Sequence, residues 1–313
     1  MAITSLEYVH GSPPTGYSLA FEPFLYNQEA FLALKSYPVQ SFYAVNHQKR
    51  SIEARIHFTV KEQKDGTLRA ISLPELPFGS LEYSSSLTTE QITSLLGFVQ
   101  EKLAQQGCNA IEIRDCISEY RIDSSNLVSE ILIKVGLKKH HEDINHFIPV
   151  DETAFRFKIH RMAAKRLRKC HRANFHFALE TSQAIPQVYE FIRYCRAEQG
   201  WDLSMSLEQL MDATSYLPNR YRFFSVFDQD RRIAAATVVI VNDYIMYDFY
   251  HDALQSYNRF SPTIFLLERL YEYCRERNLQ SLDLGTSTSS SLAAFKGRVG
   301  GVLSYKKTYM LEW

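Results

Sequence analysis

Near the C-terminal end of the chain, the stretch Tyr244-Ile-Met-Tyr-Asp-Phe-Tyr-His251 sets two proton-transfer groups among aromatic side chains. The period of two along a strand puts Asp248 and Tyr250 on one face, and a carboxylate among aromatics needs a partner if it is buried. Asp248 is the first candidate for a general base. His251 is the second, because its reference pKa lies near neutrality. The structural alternatives are an Asp248 paired with an Arg or Tyr in a core, and a His251 on a surface loop. Just downstream, Ser261 followed by Pro262 is an N-cap signal for a helix, and the preceding Ser256-Tyr-Asn-Arg-Phe260 places Arg259 beside that helix end. A helix N-terminus with a neighbouring cation suits an anion such as a phosphate.

A second cationic feature lies upstream. Residues 154–172 read as one linker helix holding eight Lys or Arg and no Asp or Glu. Clustered cations attract phosphates by releasing counterions, so a tRNA backbone, a nucleotide diphosphate and an anionic lipid surface are the partner classes it suits. The alternative is a solvated face balanced by Glu190, Glu198 and Glu208. An apolar stripe of Phe155, Ile159, Met162, Ala163, Leu167 and Cys170 at helical spacing says that the helix packs on something.

Other chemistries find little support. The run His140-His-Glu-Asp-Ile-Asn-His146 splits its ligand types between two strand faces, and no metal is expected. Five scattered cysteines without C-x-x-C spacing read as reduced thiols. Gly-x-Ser-x-Gly, P-loop and Rossmann motifs are missing. Lys+Arg and Asp+Glu balance at 35 each, so the whole chain makes no electrostatic argument for a partner. No leader or long apolar run is evident, and the expectation is a soluble, cytoplasmic protein.

The elements that must position these residues fall into two similar series. In the first half, Ser41–Asn46, Ser51–Val60 and Thr67–Leu73 alternate as a three-strand meander. Thr88 with Gln91 signals the start of a helix that carries Ile92, Leu95, Leu96, Val99 and Leu103 to Gly107. A strand at Ala110–Ile113, a helix from Ser124 to Val135 and a strand around Asn145–Ile148 follow. The second half gives a meander over Arg222–Phe227, Arg232–Val241 and Tyr244–Tyr250, a helix over Ser261–Arg277, a strand at Leu282–Leu284, a short helix at Ala294–Arg298 and a strand ending at Tyr309. With 313 residues and 45% hydrophobic content, two copies of one mixed αβ unit explain the length. The expected domains are 1–150 and 151–313, the latter preceded by the basic helix.

This order, together with Tyr244–Tyr250, Ser261-Pro262, Leu282-Asp-Leu-Gly285 and Ala294-Phe-Lys-Gly-Arg298, resembles the second half of a GNAT acyltransferase domain. In detail it resembles the C-terminal domain of the Fem-type aminoacyl transferases. The resemblance implies an α+β fold of two tandem GNAT-like domains, each a mostly antiparallel mixed sheet flanked by helices. It implies N-acyl transfer, of an acetyl or aminoacyl group, from a thioester or ester donor to an amine. Acyl-coenzyme A or aminoacyl-tRNA would be the co-substrate, with no permanently bound cofactor; a degenerate ligand-binding or scaffold module is the alternative. The donor would enter between Tyr247–Tyr250 and Leu282–Leu284, with its phosphates near Asn258, Arg259 and Ser261. Asp248 and His251 become base or amine anchor, and Tyr250 and Tyr309 become acids for the leaving group. Tyr257, Lys296 and Arg298 would contact substrate, the last two through an anionic group unless they simply end a helix. The loop before Ser261 departs from the GNAT pattern in having no glycine.

Overall fold

The structure, a computed structural model, describes residues 6–121 and 127–313. Two compact units organise it: residues up to Asp143 with Tyr305–Trp313, and Ile144–Ser304. The chain therefore divides several residues before Val150, and its last nine residues belong to the first unit. The reason is strand pairing.

In the first unit, β1 (Glu7–His10), β2 (Ser18–Leu19) and the short α1 (Glu29–Leu32) precede the meander of β3 (Gln40–Asn46), β4 (Ser51–Glu62) and β5 (Leu68–Ile71). After β6 (Glu82–Tyr83) comes α2 (Thr89–Gln105), opened by the expected capping box: the Thr88 hydroxyl accepts from Gln91 N–H and the Gln91 side chain accepts from Thr88 N–H. Ile92, Leu95, Leu96, Val99 and Leu103 of this helix are buried on the apolar face of β4, formed by Ala54, Ile56 and Phe58. β7 (Cys108–Arg114) runs parallel to β5, and α3 (Leu127–Lys134) follows. The beginning of the helix expected from Ser124 lies outside the described residues.

β8 (Lys138–Pro149) contributes Ile144–Pro149 to the second unit. There α4 (Phe155–Lys158), α5 (Arg161–Arg172), β9 (His176–Leu179), α6 (Ile185–Ala197) and α7 (Leu207–Tyr216) lead to the meander β10 (Tyr221–Asp228), β11 (Arg231–Asn242) and β12 (Ile245–Ala253). Then come α8 (Pro262–Glu276), β13 (Ser281–Thr286), α9 (Ser290–Arg298) and β14 (Val302–Glu312). The sheet of this unit runs β9-β10-β11-β12-β13-β8, with β12 and β13 parallel and the other pairs antiparallel. The first unit closes in the same way, with the C-terminal part of β14 antiparallel to β7. Each unit thus takes its last strand from the segment that follows the other unit's final helix. Gly136 and Gly300, both at positive φ, end those helices and start the strands.

The basic segment is two helices and not one. Ile159 and His160 are extended, and the His160 imidazole caps α5 by accepting from Met162 N–H. Phe155, Ile159, Ala163, Leu167 and Cys170 are buried as the stripe expects, whereas Met162 is exposed. They pack on α8, whose Ile264, Phe265, Leu266, Leu267, Leu270, Tyr271 and Cys274 are buried against the sheet. Burial of each such large side chain is worth about 1.5–3 kcal/mol, which makes α8 the anchor of the unit.

Candidate active site

β12 and β13 pair only through Tyr247 and Asp283, and beyond those residues the two strands separate. The register of β12 against β11 also slips there: Val238 faces Asp248 while the adjacent Thr237 faces Tyr250. Phe249 is the extra residue of a bulge, and its ring stacks on that of Tyr250 at 4.0 Å, a contact that regular alternation forbids for neighbours. Asp248 and Tyr250 therefore do not share a face. Asp248 lines a cavity of about 630 Å³ in the opening between β12 and β13, with Tyr247, Phe249 and His251 from the same strand, the β13–α9 stretch from Leu284 to Lys296, and Arg196, Gln199 and Trp201 from the end of α6. That volume suits the reacting ends of two substrates.

The structure brings together the two proton-transfer residues. His251 Nδ1 lies 2.5 Å from Asp248 Oδ2. The Asp248 side chain is fully buried, and its Oδ1 has no hydrogen-bond partner. A carboxylate accepts only, so Nδ1 carries a proton, and in the neutral imidazole this leaves the lone pair on Nε2. The partner of the buried Asp248 is thus His251, neither an Arg nor a Tyr, and His251 belongs to the strand.

Opposite, Gly285 at φ 75° lets β13 run close to Tyr247; a methyl group there would meet the Tyr247 ring at 3.1 Å and its hydroxyl at 3.2 Å. Gly285 N–H donates to Asp283 Oδ1, which also accepts from Asn145 Nδ2. Burial, with Asp283 and Asp248 nearby, raises the pKa of Tyr247 and keeps it protonated. Lys296 lines the cavity, yet it is neither an exposed helix end nor a free cation: it is 4% exposed and its Nζ donates to the carbonyls of Gly285 and Thr286. Ser289, in the polar run before α9, caps that helix through Leu292 N–H.

Several expected residues lie elsewhere. The Tyr250 hydroxyl is bonded to Ser204 and Met205 N–H, and the residue does not line the cavity. Tyr309 is in the core of the first unit with its hydroxyl on Ser129. Ser261 does not cap α8: it takes a left-handed φ of 60°, and its hydroxyl receives a hydrogen bond from Arg166 and donates to the Asn258 carbonyl. Asn258 and Arg259 are exposed on the same loop, the Arg259 guanidinium resting over Phe260. Tyr257 donates to Asp228, and Arg298 is exposed, its carbonyl accepting from His160 N–H. The glycine-free loop is closed on itself, since Tyr257, Asn258, Phe260 and Ser261 N–H groups all bond carbonyls within Leu254–Tyr257.

The sequence reading missed Arg196 and Gln199 because it did not see α6. The spacing of Ile185, Val188, Tyr189, Ile192 and Cys195 behind Pro186, all but the proline buried, would have revealed it. Arg196 stands over the Tyr250 ring at 5.2 Å with its Nε buried and unpaired. Gln199 holds Asp252 at the rim.

A family profile described as an acetyltransferase (GNAT) domain matches residues 154–306. Among solved structures the chain is similar to FemX, at 12% identity, with 94% of this chain and 94% of that chain covered and a TM-score of 0.70. It is also similar to L-PGS from Bacillus licheniformis, at 12% identity, 95% and 93% coverage and a TM-score of 0.56. A third is a tandem GNAT protein from the clavulanic acid biosynthesis pathway, at 8% identity, 88% and 83% coverage and a TM-score of 0.50. No curated protein matches the chain. The profile match covers residues 154–306, and the solved structures share their fold with the whole chain. Residues 154–306 thus carry the GNAT domain, and the whole chain has a fold similar to that of FemX and of the tandem GNAT protein.

Proposed function

We propose that the second unit transfers an acyl group, acetyl or aminoacyl, directly from a thioester or ester donor to an amine, with His251 as general base and Asp248 as the residue that orients it. The observation that carries this reading is the buried Asp248–His251 pair facing a cavity at the divergence of β12 and β13. Nε2 of His251 takes the proton from the attacking amine as nitrogen bonds to the acyl carbon. The carbonyl oxygen becomes an oxyanion, and the backbone of β12 at the bulge around Phe249, where the register against β11 shifts, is the segment assigned to stabilise it. The tetrahedral intermediate then expels the thiolate or alkoxide, which recovers a proton from the imidazolium or from water. Lys296 positions the β13 side of the cavity through its bonds to Gly285 and Thr286.

Donor phosphates are assigned to side chains, because the loop before α8 spends its amides internally. Arg166 and Arg259 flank that helix end, and Arg166 gives the basic segment 154–172 its phosphate contact. This arrangement favours an aminoacyl-tRNA donor, whose phosphates are strung along a strand, over a coenzyme A pyrophosphate seated in a backbone cradle. The unpaired Arg196 suits an acceptor bearing a carboxylate near its amine. Thermal-shift and calorimetric titrations with coenzyme A, acetyl-coenzyme A, longer acyl thioesters and aminoacyl-tRNA test the reading, since a ligand of the folded state raises its stability. Saturable binding of an acylated donor, followed by transfer to an amine, is expected. A protein that binds none of them and releases no thiol or tRNA in the presence of amines is not an acyltransferase of this kind.

A further inference from the structure

The basic segment has a second face that the acyl-transfer reading does not use. Around α5, Ala163, Leu167 and Cys170 point to the core. At 100° per residue, Arg161, Lys165, Arg168, Lys169 and Arg172 all project to the opposite side. These five cations form an exposed line about 16 Å long. Among the described residues no carboxylate pairs with any of them. Of the acidic side chains that could have balanced them, Glu190 pairs with Arg193, Glu198 accepts from the Tyr194 hydroxyl, and Glu208 forms no ion pair with them. Lys158, Arg166 and His171 are the members of the segment held by Asp151, Ser261 and Glu268.

Exposed apolar side chains lie beside this line. Phe157 is 70% exposed, just before the break between α4 and α5, and Met162 is exposed just after it. The backbone of Gly300 rests against Lys158, so close that a methyl group on it would lie 3.3 Å from the Lys158 carbonyl oxygen. Val302 and Leu303 follow at once, and both are exposed. Large apolar groups gathered next to an unpaired cationic stripe are the two ingredients of an interfacial contact: cations at the lipid phosphates and apolar tips among the acyl chains.

We propose that this face of the second unit docks on an anionic membrane surface, with Arg161, Lys165, Arg168, Lys169 and Arg172 on lipid headgroups and Phe157, Met162, Val302 and Leu303 inserted beneath them. An RNA duplex or strand would use the cations but gains nothing from Met162, Val302 and Leu303, which have no ring face on which a base can stack. The chemistry therefore favours lipid.

The test is co-sedimentation of the full chain with vesicles of phosphatidylcholine alone and of phosphatidylcholine with about 30% phosphatidylglycerol. Binding is expected only to the anionic vesicles, and it weakens with salt. The variant Arg161→Gln/Lys165→Gln/Arg168→Gln should lose about fivefold in partition per cation, roughly 100-fold in all. The variant Phe157→Ser/Val302→Ser/Leu303→Ser should also release the protein, but by an amount that persists at high salt. Circular dichroism and thermal melts verify that both variants fold. Failure of the folded protein to bind anionic vesicles overturns the proposal. So does vesicle binding that survives the charge substitutions, or binding of a tRNA mixture through these same cations without vesicle binding.

Discussion

Asp248→Asn should separate catalysis from stability, and the geometry says by how much. In the wild-type protein Oδ2 receives the His251 Nδ1 proton at 2.5 Å, and this bond fixes the tautomer that leaves Nε2 basic. An amide in that place can donate from its nitrogen, which favours the opposite tautomer and puts a proton on Nε2. The general-base contribution is then lost, about 10²–10⁴ in rate, or roughly 3–5 kcal/mol of transition-state stabilisation. Stability should hardly move. The substitution removes a charge-assisted hydrogen bond worth about 1.5–3 kcal/mol, but it also removes a buried charge whose Oδ1 has no partner, a relief of about 1–3 kcal/mol. The two terms cancel to within about 1 kcal/mol. Donor consumption with an amine acceptor, followed by thiol or tRNA release, gives the first quantity; denaturant titration gives the second. If the Asp248→Asn variant turns over within about threefold of wild type, the role of the pair is refuted. If it loses several kcal/mol of stability, Asp248 is a structural carboxylate.

Three further outcomes follow from the same structure. Gly285→Ala should lose about 1–2 kcal/mol from its left-handed φ alone, and more from the contact with Tyr247, together with activity; in Gly97→Ala, a helical site with open space, thermal melts should show a gain of about 0.5–1 kcal/mol. Burial, with Arg55 adjacent, pushes His57 in the first unit down to about 3 from 6.5. The unfolded chain then takes up a proton that the folded one refuses, so stability falls as pH drops from about 6.5 towards 3, by at most about 1.4 kcal/mol per pH unit; urea midpoints at about pH 7, 6 and 5 measure the slope, and an equal slope in His57→Gln would exonerate this residue. Arg196→Gln should raise KM for carboxylate-bearing amine acceptors about 10–100-fold while leaving uncharged amines unchanged, and a uniform effect on both would remove Arg196 from acceptor recognition.

The sequence made the elements legible because most of them follow one period throughout. Thr88 and Gln91 announce α2, the stripe from Ile92 to Leu103 fixes its buried face, and the apolar runs on either side of Asp230 and Asp243 pair as an antiparallel meander. The site was legible to the extent that it lies on those elements: Asp248, His251 and Lys296 do line one cavity. What periodicity misplaces are the departures from it. A single extra residue at Phe249 turns Tyr250 away from Asp248 and into contact with Ser204, and no composition rule marks where a strand will bulge. The break at Ile159-His160 is similar, because every residue from 154 to 172 suits a helix, and what divides it is the bond from His160 N–H to the distant Arg298 carbonyl together with the His160 ring capping Met162 N–H. Ser261 misled for the opposite reason. Its residue type and the following proline fit a cap, but the closure of the loop on Tyr257 and the pull of Arg166 put it in a left-handed conformation, where its side chain serves the loop and its cationic neighbour in place of the helix. Bulge, break and loop are each decided by contacts distant in sequence, and each of them shapes or borders the opening in which the proposed chemistry takes place.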